Sequence, residues 1–326
     1  MSKKVKNLPF VSICTPTFNR RPFIPYIIKC FENQDYPKEK LEWIIIDDGT
    51  DKIEDLVAHL PRVKYYKYID KMPLGKKRNL MHKKSSGDII VYMDDDDYYP
   101  IDRVSHAVET LLNNPKALCA GSSEMYIYFK HIHKLYQFGP YSPTHATAAT
   151  FAFRREMLKT CKYDEDACLA EEKNFLKNYT VPFVQLNPLK CILVFSHNQN
   201  SFDKKKLLEH PNQFVKESNK MIEDFVKEED VKKFFMEDID ALLEKYEPGD
   251  IKNKPDVIKQ MDDMAKQRKD AEEAERLKQQ IMGFTQYQKV IQEQHNTINQ
   301  LNERVKYLEG KLGEMIREKI AFMKSS

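Results

Sequence analysis

Ile89-Ile90-Val91-Tyr92-Met93-Asp94-Asp95-Asp96-Asp97 decides the fold. Five apolar residues, bounded upstream by Ser86-Gly87, read as a strand buried on both faces. Such strands belong to parallel sheets, and open parallel sheets bind ligands at the carboxyl ends of their strands. Here that end carries four consecutive carboxylates. Nothing in folding requires their mutual repulsion. A hard divalent cation would relieve it, because Mg²⁺ and Mn²⁺ prefer carboxylate oxygen. In an extended segment residues i and i+2 point the same way, so Asp94 and Asp96 could face one ion.

The segments on either side alternate between two periods. Phe10 to Cys14, Leu41 to Ile46, Val63 to Ile69 and Asp88 to Met93 read as strands. Between them, Pro22 to Asn33, Ile53 to Leu60, Gly75 to Lys84 and Ile101 to Asn113 read as helices. The first has Ile24, Ile27, Ile28 and Phe31 on one face and Pro22 in its first turn, where a missing N–H costs nothing. This alternation implies βαβ units and a largely parallel sheet. After Pro115 the pattern becomes mixed. Ala117 to Phe129, His133 to Phe138, Ala146 to Phe153, Val181 to Leu186 and Cys191 to Phe195 read as strands, and Cys168 to Asn178 as a helix.

From Pro211 the chain reads as helical and highly charged, and Pro255 opens a final segment. A heptad can be written from Leu277, with Leu277, Phe284, Ile291, Ile298, Val305, Leu312 and Lys319 on one seam. Gln280, Tyr287, Gln294, Leu301, Leu308, Met315 and Phe322 form the other. Gly283, Gly310 and Gly313 each weaken that helix by roughly 1 kcal/mol relative to Ala. The expected division is a catalytic α/β domain over 1–205, a helical region over 206–254, and a long helix over 255–326 that self-associates as a coiled coil.

Composition sets further bounds. A net charge of +3 over 326 residues argues against a dedicated nucleic-acid binder. The six cysteines contain no C-x-x-C pair and read as reduced, mostly buried thiols. No apolar stretch approaches the length of a membrane span. The segment Met1 to Asn7 is basic but lacks the apolar run of a signal peptide, so a cytoplasmic location is expected. Lys204-Lys205-Lys206 leaves room for peripheral membrane contact.

Four further features gather at the same sheet edge. Asp47 and Asp48 end the second strand. Gly75-Lys76-Lys77-Arg78-Asn79 opens a helix, where backbone N–H groups and cations favour an anion. Glu171-Glu172 places two acids side by side, and His197 follows a strand between asparagines. Taken alone, the basic run would read as a solvated helix face, the glutamates as surface charge and His197 as a structural histidine.

Together these residues carry a resemblance. Val11-Ser12-Ile13-Cys14-Thr15-Pro16-Thr17-Phe18-Asn19-Arg20 resembles the opening strand of the family 2 glycosyltransferases, and Ile44 to Thr50 resembles their second strand. Gly75 to Asn79 is similar to their Gly-x-x-x-Arg-Asn segment, and Val91 to Asp97 to the metal-binding Asp-x-Asp region of the GT-A fold. The resemblance spans roughly residues 8 to 200, with four motifs in the right order.

It implies a GT-A nucleotide-diphospho-sugar transferase fold and an inverting enzyme. Thr15, Pro16, Arg20, Asp47 and Asp48 would line the nucleotide pocket, with Lys76, Arg78, Asp94 and Asp95 toward ribose and diphosphate. Asp96, Asp94 and His197 would hold Mn²⁺ or Mg²⁺. Glu172, or its neighbour Glu171, would be the general base, where the family carries Glu-Asp. The expected activity is transfer of a sugar from a nucleotide-sugar donor, a UDP-sugar, to a hydroxyl of a glycan, protein or lipid. Two alternatives stay open: a sugar nucleotidyltransferase, although the Gly-rich basic loop after the first strand is missing, and a non-catalytic coiled-coil scaffold.

Overall fold

The computed structural model describes residues 8–209 and 212–325, so the basic N-terminal stretch and Pro211 lie outside the described residues. The chain divides into two compact units, one through Met261 and one from Asp262. The first opens with strand β1 (Val11–Thr17), helix α1 (Ile24–Glu32), β2 (Leu41–Asp47), the single turn α2 (Glu54–Val57) and β3 (Val63–Lys67). Helix α3 (Leu74–Lys84), β4 (Ile89–Tyr92) and α4 (Arg103–Asn113) follow. β1 pairs in parallel with both β2 and β4, and β2 with β3. Alternate residues of each strand enter opposite cores. Val11, Ile13, Trp43, Ile45, Ile89 and Val91 face one; Cys14, Ile44, Ile46, Ile90 and Tyr92 face the other. Helix α1 buries Ile24, Ile27, Cys30 and Phe31, and α4 buries Val104, Ala107, Val108 and Leu111, both with the spacing of an apolar helix stripe.

Two buried charges lock this half together. The Glu42 carboxylate accepts from Ser12 Oγ at 2.6 Å and Ser86 N at 2.6 Å, tying β2 to β1 and to the loop before β4. Arg103, fully buried, donates to the carbonyls of Thr150 at 2.8 Å and Phe151 at 3.0 Å, fixing α4 beside the segment that follows.

The remaining strands depart from the sequence reading in instructive ways. Ala117 to Phe129 is two strands in two sheets, β5 (Cys119–Gly121) and β6 (Met125–Phe129). Ser122 breaks the run, because its hydroxyl donates to Glu124 O at 2.6 Å and its N–H donates to Thr150 Oγ1 at 2.9 Å. After β7 (Lys134–Phe138), the run Ala146 to Phe153 enters a strand only at its last two residues, in β8 (Ala152–Arg154). Thr150 turns the preceding residues into a single helical turn through its bonds to Thr147 O. The helix expected over Cys168 to Asn178 shrinks to α5 (Glu172–Phe175). Ala170 before it and Lys177, Asn178 and Tyr179 after it all have positive φ, between 50° and 61°. Side chains rarely adopt that conformation, and here it brackets the glutamate pair.

The main sheet is completed by β9 (Phe183–Gln185), in the order β3-β2-β1-β4-β8-β5-β9, with β8 antiparallel to both neighbours. A second sheet, β10-β6-β7-β11, uses β10 (Leu193–Ser196) and β11 (Val215–Glu217). The α/β class, the mainly parallel sheet and the C-terminal helix expected from the sequence are all present. Residues 206–254, read as a helical region of their own, instead pack inside the first unit as β11, short helices α6 (Glu229–Lys233) and α7 (Ile239–Glu244), and connecting turns. Phe234 and Phe235 bury there, with Phe234 stacked on Tyr26 at 3.5 Å and Phe235 on Phe195 at 4.3 Å. Helix α8 (Pro255–Ser325) runs for 71 residues. All six cysteines are buried free thiols. Among the described residues no helix is long and apolar enough to cross a membrane.

Candidate active site

β1, β2 and β4 run in parallel and end together, so their carboxyl-terminal loops form one cleft. Thr15 holds the acidic loop in place. Its hydroxyl donates to Met93 O at 2.6 Å and accepts from Trp43 Nε1 at 2.8 Å. That buried role differs from the base-pocket position expected for it; Pro16, next in sequence, lines the cleft. Two adjoining cavities share Phe18 and Lys71. One is walled by Pro16, Arg20, Lys77, Arg78, Asp94, Asp95, Asp96 and Lys254 among others, the second by Asn19, Asp48, Thr50, Ile69 and Pro248 among others.

The paired aspartates after β2 divide their work. Asp47 accepts from Gly49 N at 2.9 Å, Ile53 N at 3.1 Å and Tyr65 Oη at 2.7 Å, so it builds the turn. Asp48 faces the second cavity, accepting from Met72 N at 2.6 Å and pairing with Lys77 at 2.6 Å. The segment Gly75 to Asn79 resolves residue by residue. A Cβ on Gly75 would lie 1.8 Å from the Asp164 carbonyl oxygen, so only glycine lets α3 approach that loop. Its N–H donates to Ala167 O at 2.8 Å and is not offered to the cleft, contrary to the helix-start anion site expected there. Asn79 clamps the same loop through Tyr163 N and O, each at 2.9 Å. Lys76 is exposed and lines neither cavity, whereas Lys77 is buried and lines the first. Of the three cations expected on this turn, Lys77 and Arg78 meet the cleft and Lys76 does not.

Arg78 is the hub. Its Nε donates to Glu171 Oε1 at 2.8 Å, its Nη2 lies 3.6 Å from Asp94 Oδ1, and the guanidinium sits 4.5 Å over the Tyr92 ring. Burial works against its charge, but Asp94 and Glu171 overcome this and hold it well above the ordinary arginine range. Arg20 is the second hub, with Nη2 3.3 Å from Asp96 Oδ2, Nε 3.7 Å from Asp95 Oδ1, and a bond to Gln199 O at 2.8 Å.

The four aspartates have different environments. Asp94, Asp95 and Asp96 line the cleft; Asp97 turns away and accepts from Phe195 N at 3.4 Å. Burial raises Asp94 above the usual carboxylate range against the pull of Arg78. It also raises Asp95 and Asp97, and repulsion from Asp96 adds to both. Asp96 resists burial through Arg20 and His197 and is held well below that range. His197 is buried and pushed down to about 4, chiefly by that burial. Its Nε2 lies 2.7 Å from Asn200 Nδ2 and 3.3 Å from Asp96 Oδ2, and Gln199 N donates to Nδ1 at 3.2 Å.

No three His, Cys, Asp or Glu side chains among the described residues are already gathered as a ligand set. The donor chemistry nevertheless fits a hard cation. The buried oxygens Asp94 Oδ1 and Asp95 Oδ2 have no hydrogen-bond partner, and Asp96 stands beside them. The glutamate pair splits as well. Glu171 is buried on Arg78, and Glu172 is raised to about 7 by burial first and by Glu171 second.

Sequence reasoning missed the cleft wall contributed from far along the chain. Lys254, Asp256 and Val257 line the first cavity, and Lys71 makes an ion pair with Asp256. Lys254 is 4% exposed, and burial, reinforced by Arg20, lowers its ammonium below the ordinary lysine value. The local signal was Pro255 opening a helix, which places Lys254 at a turn but says nothing of what the turn faces.

Residues 12–162 match the model of "Glycosyl transferase family 2". An uncharacterized glycosyltransferase of Haemophilus influenzae is 29% identical over 121 residues, 36% of this chain and 48% of that protein. A GalNAc(5)-diNAcBac-PP-undecaprenol beta-1,3-glucosyltransferase of Campylobacter jejuni is 33% identical over 112 residues, 32% of this chain and 34% of that protein. The matches span less than half the length of these curated relatives. Among solved structures, a mannosyltransferase of Pyrobaculum calidifontis in complex with GDP-Man and Mn²⁺ aligns with a TM-score of 0.46 and 18% identity, over 58% of this chain and 57% of that one.

Proposed function

We propose, from the match of residues 12–162 to glycosyl transferase family 2 and the geometry of the cleft, that the protein is a metal-dependent inverting glycosyltransferase. It would move a sugar from a nucleotide-sugar donor, a UDP-sugar, to an acceptor hydroxyl. The observation that carries this reading is the gathering of Arg20, Lys77, Arg78 and Lys254 with Asp94, Asp95 and Asp96 around one cavity. A cavity with that mixture suits a diphosphate together with a divalent ion. The adjoining cavity, with Asp48, would take the base and ribose.

Asp94 and Asp96 would hold Mn²⁺ or Mg²⁺. His197, expected from the sequence as a further ligand, has its Nε2 between Asn200 and Asp96 and is assigned here to positioning Asp96. The ion would supply Lewis-acid neutralisation of the leaving diphosphate. Arg20, Lys77 and Arg78 neutralise the same charge from fixed positions, without reorganisation as the bond breaks. An acceptor hydroxyl is a weak nucleophile, so a carboxylate must take its proton as the new sugar–oxygen bond forms. Glu172 suits that task because its pKa of about 7 matches neutral working conditions, while Glu171 is committed to Arg78. A base distinct from the leaving-group side gives direct displacement and inversion at the anomeric carbon. The glucosyltransferase from Campylobacter jejuni carries a lipid-linked glycan in its name, which favours a glycan or lipid-linked acceptor over a protein. The test is release of UDP from UDP-sugars with and without Mn²⁺; silence across UDP-, GDP- and dTDP-sugars would favour an inert scaffold.

The Glu172 environment gives a pH dependence. A base must be deprotonated, so turnover at saturating donor should rise through about pH 7 and then level. The linkage runs the other way for stability. A carboxyl raised in the folded state favours folding below its unfolded pKa, and that contribution is lost as pH rises through about 7. Glu172→Gln should therefore unfold at a higher temperature than wild type at pH 8 and show no such gain at pH 4. A pH-rate profile and thermal melts at the two pH values check both parts.

Self-association through α8 is part of the same proposal. Its seam residues are open to solvent in the single chain, Phe284 at 64%, Ile291 at 64% and Leu301 at 60%. Such a stripe suits a second copy, giving a homo-oligomer. Removing residues 262–326 should lower the number of copies per particle in multi-angle light scattering while UDP binding persists. An unchanged copy number would remove the coiled-coil proposal.

A further inference from the structure

We propose that Lys254 binds the donor's diphosphate, so that the donor site extends well beyond the family-matched residues 12–162. This inference rests on the reading of the cleft as a nucleoside diphosphate site.

Lys254 is held in place from both sides. Upstream, Gln199 Nε2 donates to Leu243 O at 3.1 Å and Tyr246 O at 2.6 Å, and Asn19 Nδ2 donates to Pro248 O at 2.8 Å. A Cβ on Gly249 would lie 2.0 Å from Gln199 Oε1, so the backbone passes close to the loop after β10. Downstream, Asp256 pairs with Lys71, and Gln260 Oε1 accepts from Cys168 N and Leu169 N, both at 2.7 Å. The anchors are loops that themselves form the cleft, so residue 254 is fixed against its wall.

Lys254 makes no direct ion pair, although the nearby Asp95 and Asp96 attract its charge. Lys254 Nζ donates to the neutral Ser201 Oγ at 3.0 Å, and no described carboxylate pairs with it. A buried ammonium with only a hydroxyl partner is unfavourable unless an anion joins it. Two other cationic residues that line the same cavity, Arg20 and Arg78, each carry a buried Nη1 with no hydrogen-bond partner. Three cationic residues around one cavity, none with all its donors met by an anion, suit the oxygens of a diphosphate. A nucleoside alone would leave all three unmet, and a monophosphate would meet fewer. The inferred role of Lys254 is therefore to favour nucleoside diphosphates over nucleosides and monophosphates.

The test is calorimetric titration of the full chain with UDP, UMP and uridine at fixed Mn²⁺, for wild type, Lys254→Met and Lys254→Arg. Lys254→Met should weaken UDP at least tenfold and uridine less than twofold, shrinking the preference for UDP over UMP. Lys254→Arg should keep UDP within threefold of wild type. UDP affinity unchanged in Lys254→Met, or UDP and uridine weakened equally, would overturn the proposal, the second because it marks loss of cleft structure alone. If Lys254→Met fails to fold by circular dichroism, Lys254→Arg decides: a tenfold loss of UDP affinity there overturns the proposal, and retained affinity with the UDP preference intact supports it. Wild type binding no nucleoside diphosphate at all would overturn the transferase reading first, a failure distinct from equal binding by wild type and variant.

Discussion

Glu172→Gln should abolish sugar transfer while leaving UDP affinity within about twofold of wild type. Glutamine keeps the shape of the side chain and removes its capacity to accept a proton. General-base catalysis contributes roughly 10²–10⁴-fold, and a loss in that range is expected. Donor binding should survive because Glu172 is not among the residues walling the donor cavity. Glu171→Gln should behave differently. Glu171 accepts from Arg78 Nε at 2.8 Å, so its neutral variant leaves a buried guanidinium under-compensated and should weaken UDP binding. If Glu172→Gln retains transfer and Glu171→Gln loses it with donor affinity intact, the base is one residue earlier than assigned here.

Asp96→Ala should remove the Mn²⁺-dependent part of donor binding, a loss on the order of 10²-fold or more, given the several kcal/mol that a bound ion contributes. The fold should persist. Asp96 holds its charge at the cleft through Arg20 at 3.3 Å and His197 at 3.3 Å, and Arg20 keeps Asp95 when Asp96 is gone. Asp97→Ala provides the contrast. Asp97 turns to Phe195 N and away from the cleft, so its loss should leave the metal response in place. Titrations with and without Mn²⁺, paired with thermal melts, separate the two variants. Wild-type donor affinity in Asp96→Ala would refute the assignment of the ion to this loop.

Much of the α/β half was legible because its signals are local. An apolar strand ending in acids must open at a sheet edge, and Met93 followed by Asp94 to Asp97 does so. The period of α1 and α4 located both helices to within a few residues. What was not legible depends on partners distant in sequence. Lys76 and Lys77 are indistinguishable in a run of cations; the folded chain buries Lys77 in the cleft wall and leaves Lys76 exposed. Asp47 and Asp48 are likewise equivalent on paper, and Tyr65 on β3 draws the first into the turn. The short α5 and its left-handed flanks escaped because nothing in Cys168 to Asn178 breaks a helical pattern; the Arg78–Glu171 pair and the stacking of Tyr163 on Phe175 at 4.2 Å are tertiary. Lys254 escaped for the same reason, since its environment is assembled from Arg20, Ser201 and the acidic loop.

Calorimetric titration of UDP into the wild-type protein, with Mn²⁺ and after its removal by chelator, reads out whether the cleft is a metal-dependent nucleotide site. One saturable site per chain is expected, tightened at least tenfold by the metal. Absence of saturable binding for UDP, GDP and dTDP in the presence of Mn²⁺ and of Mg²⁺ would contradict it.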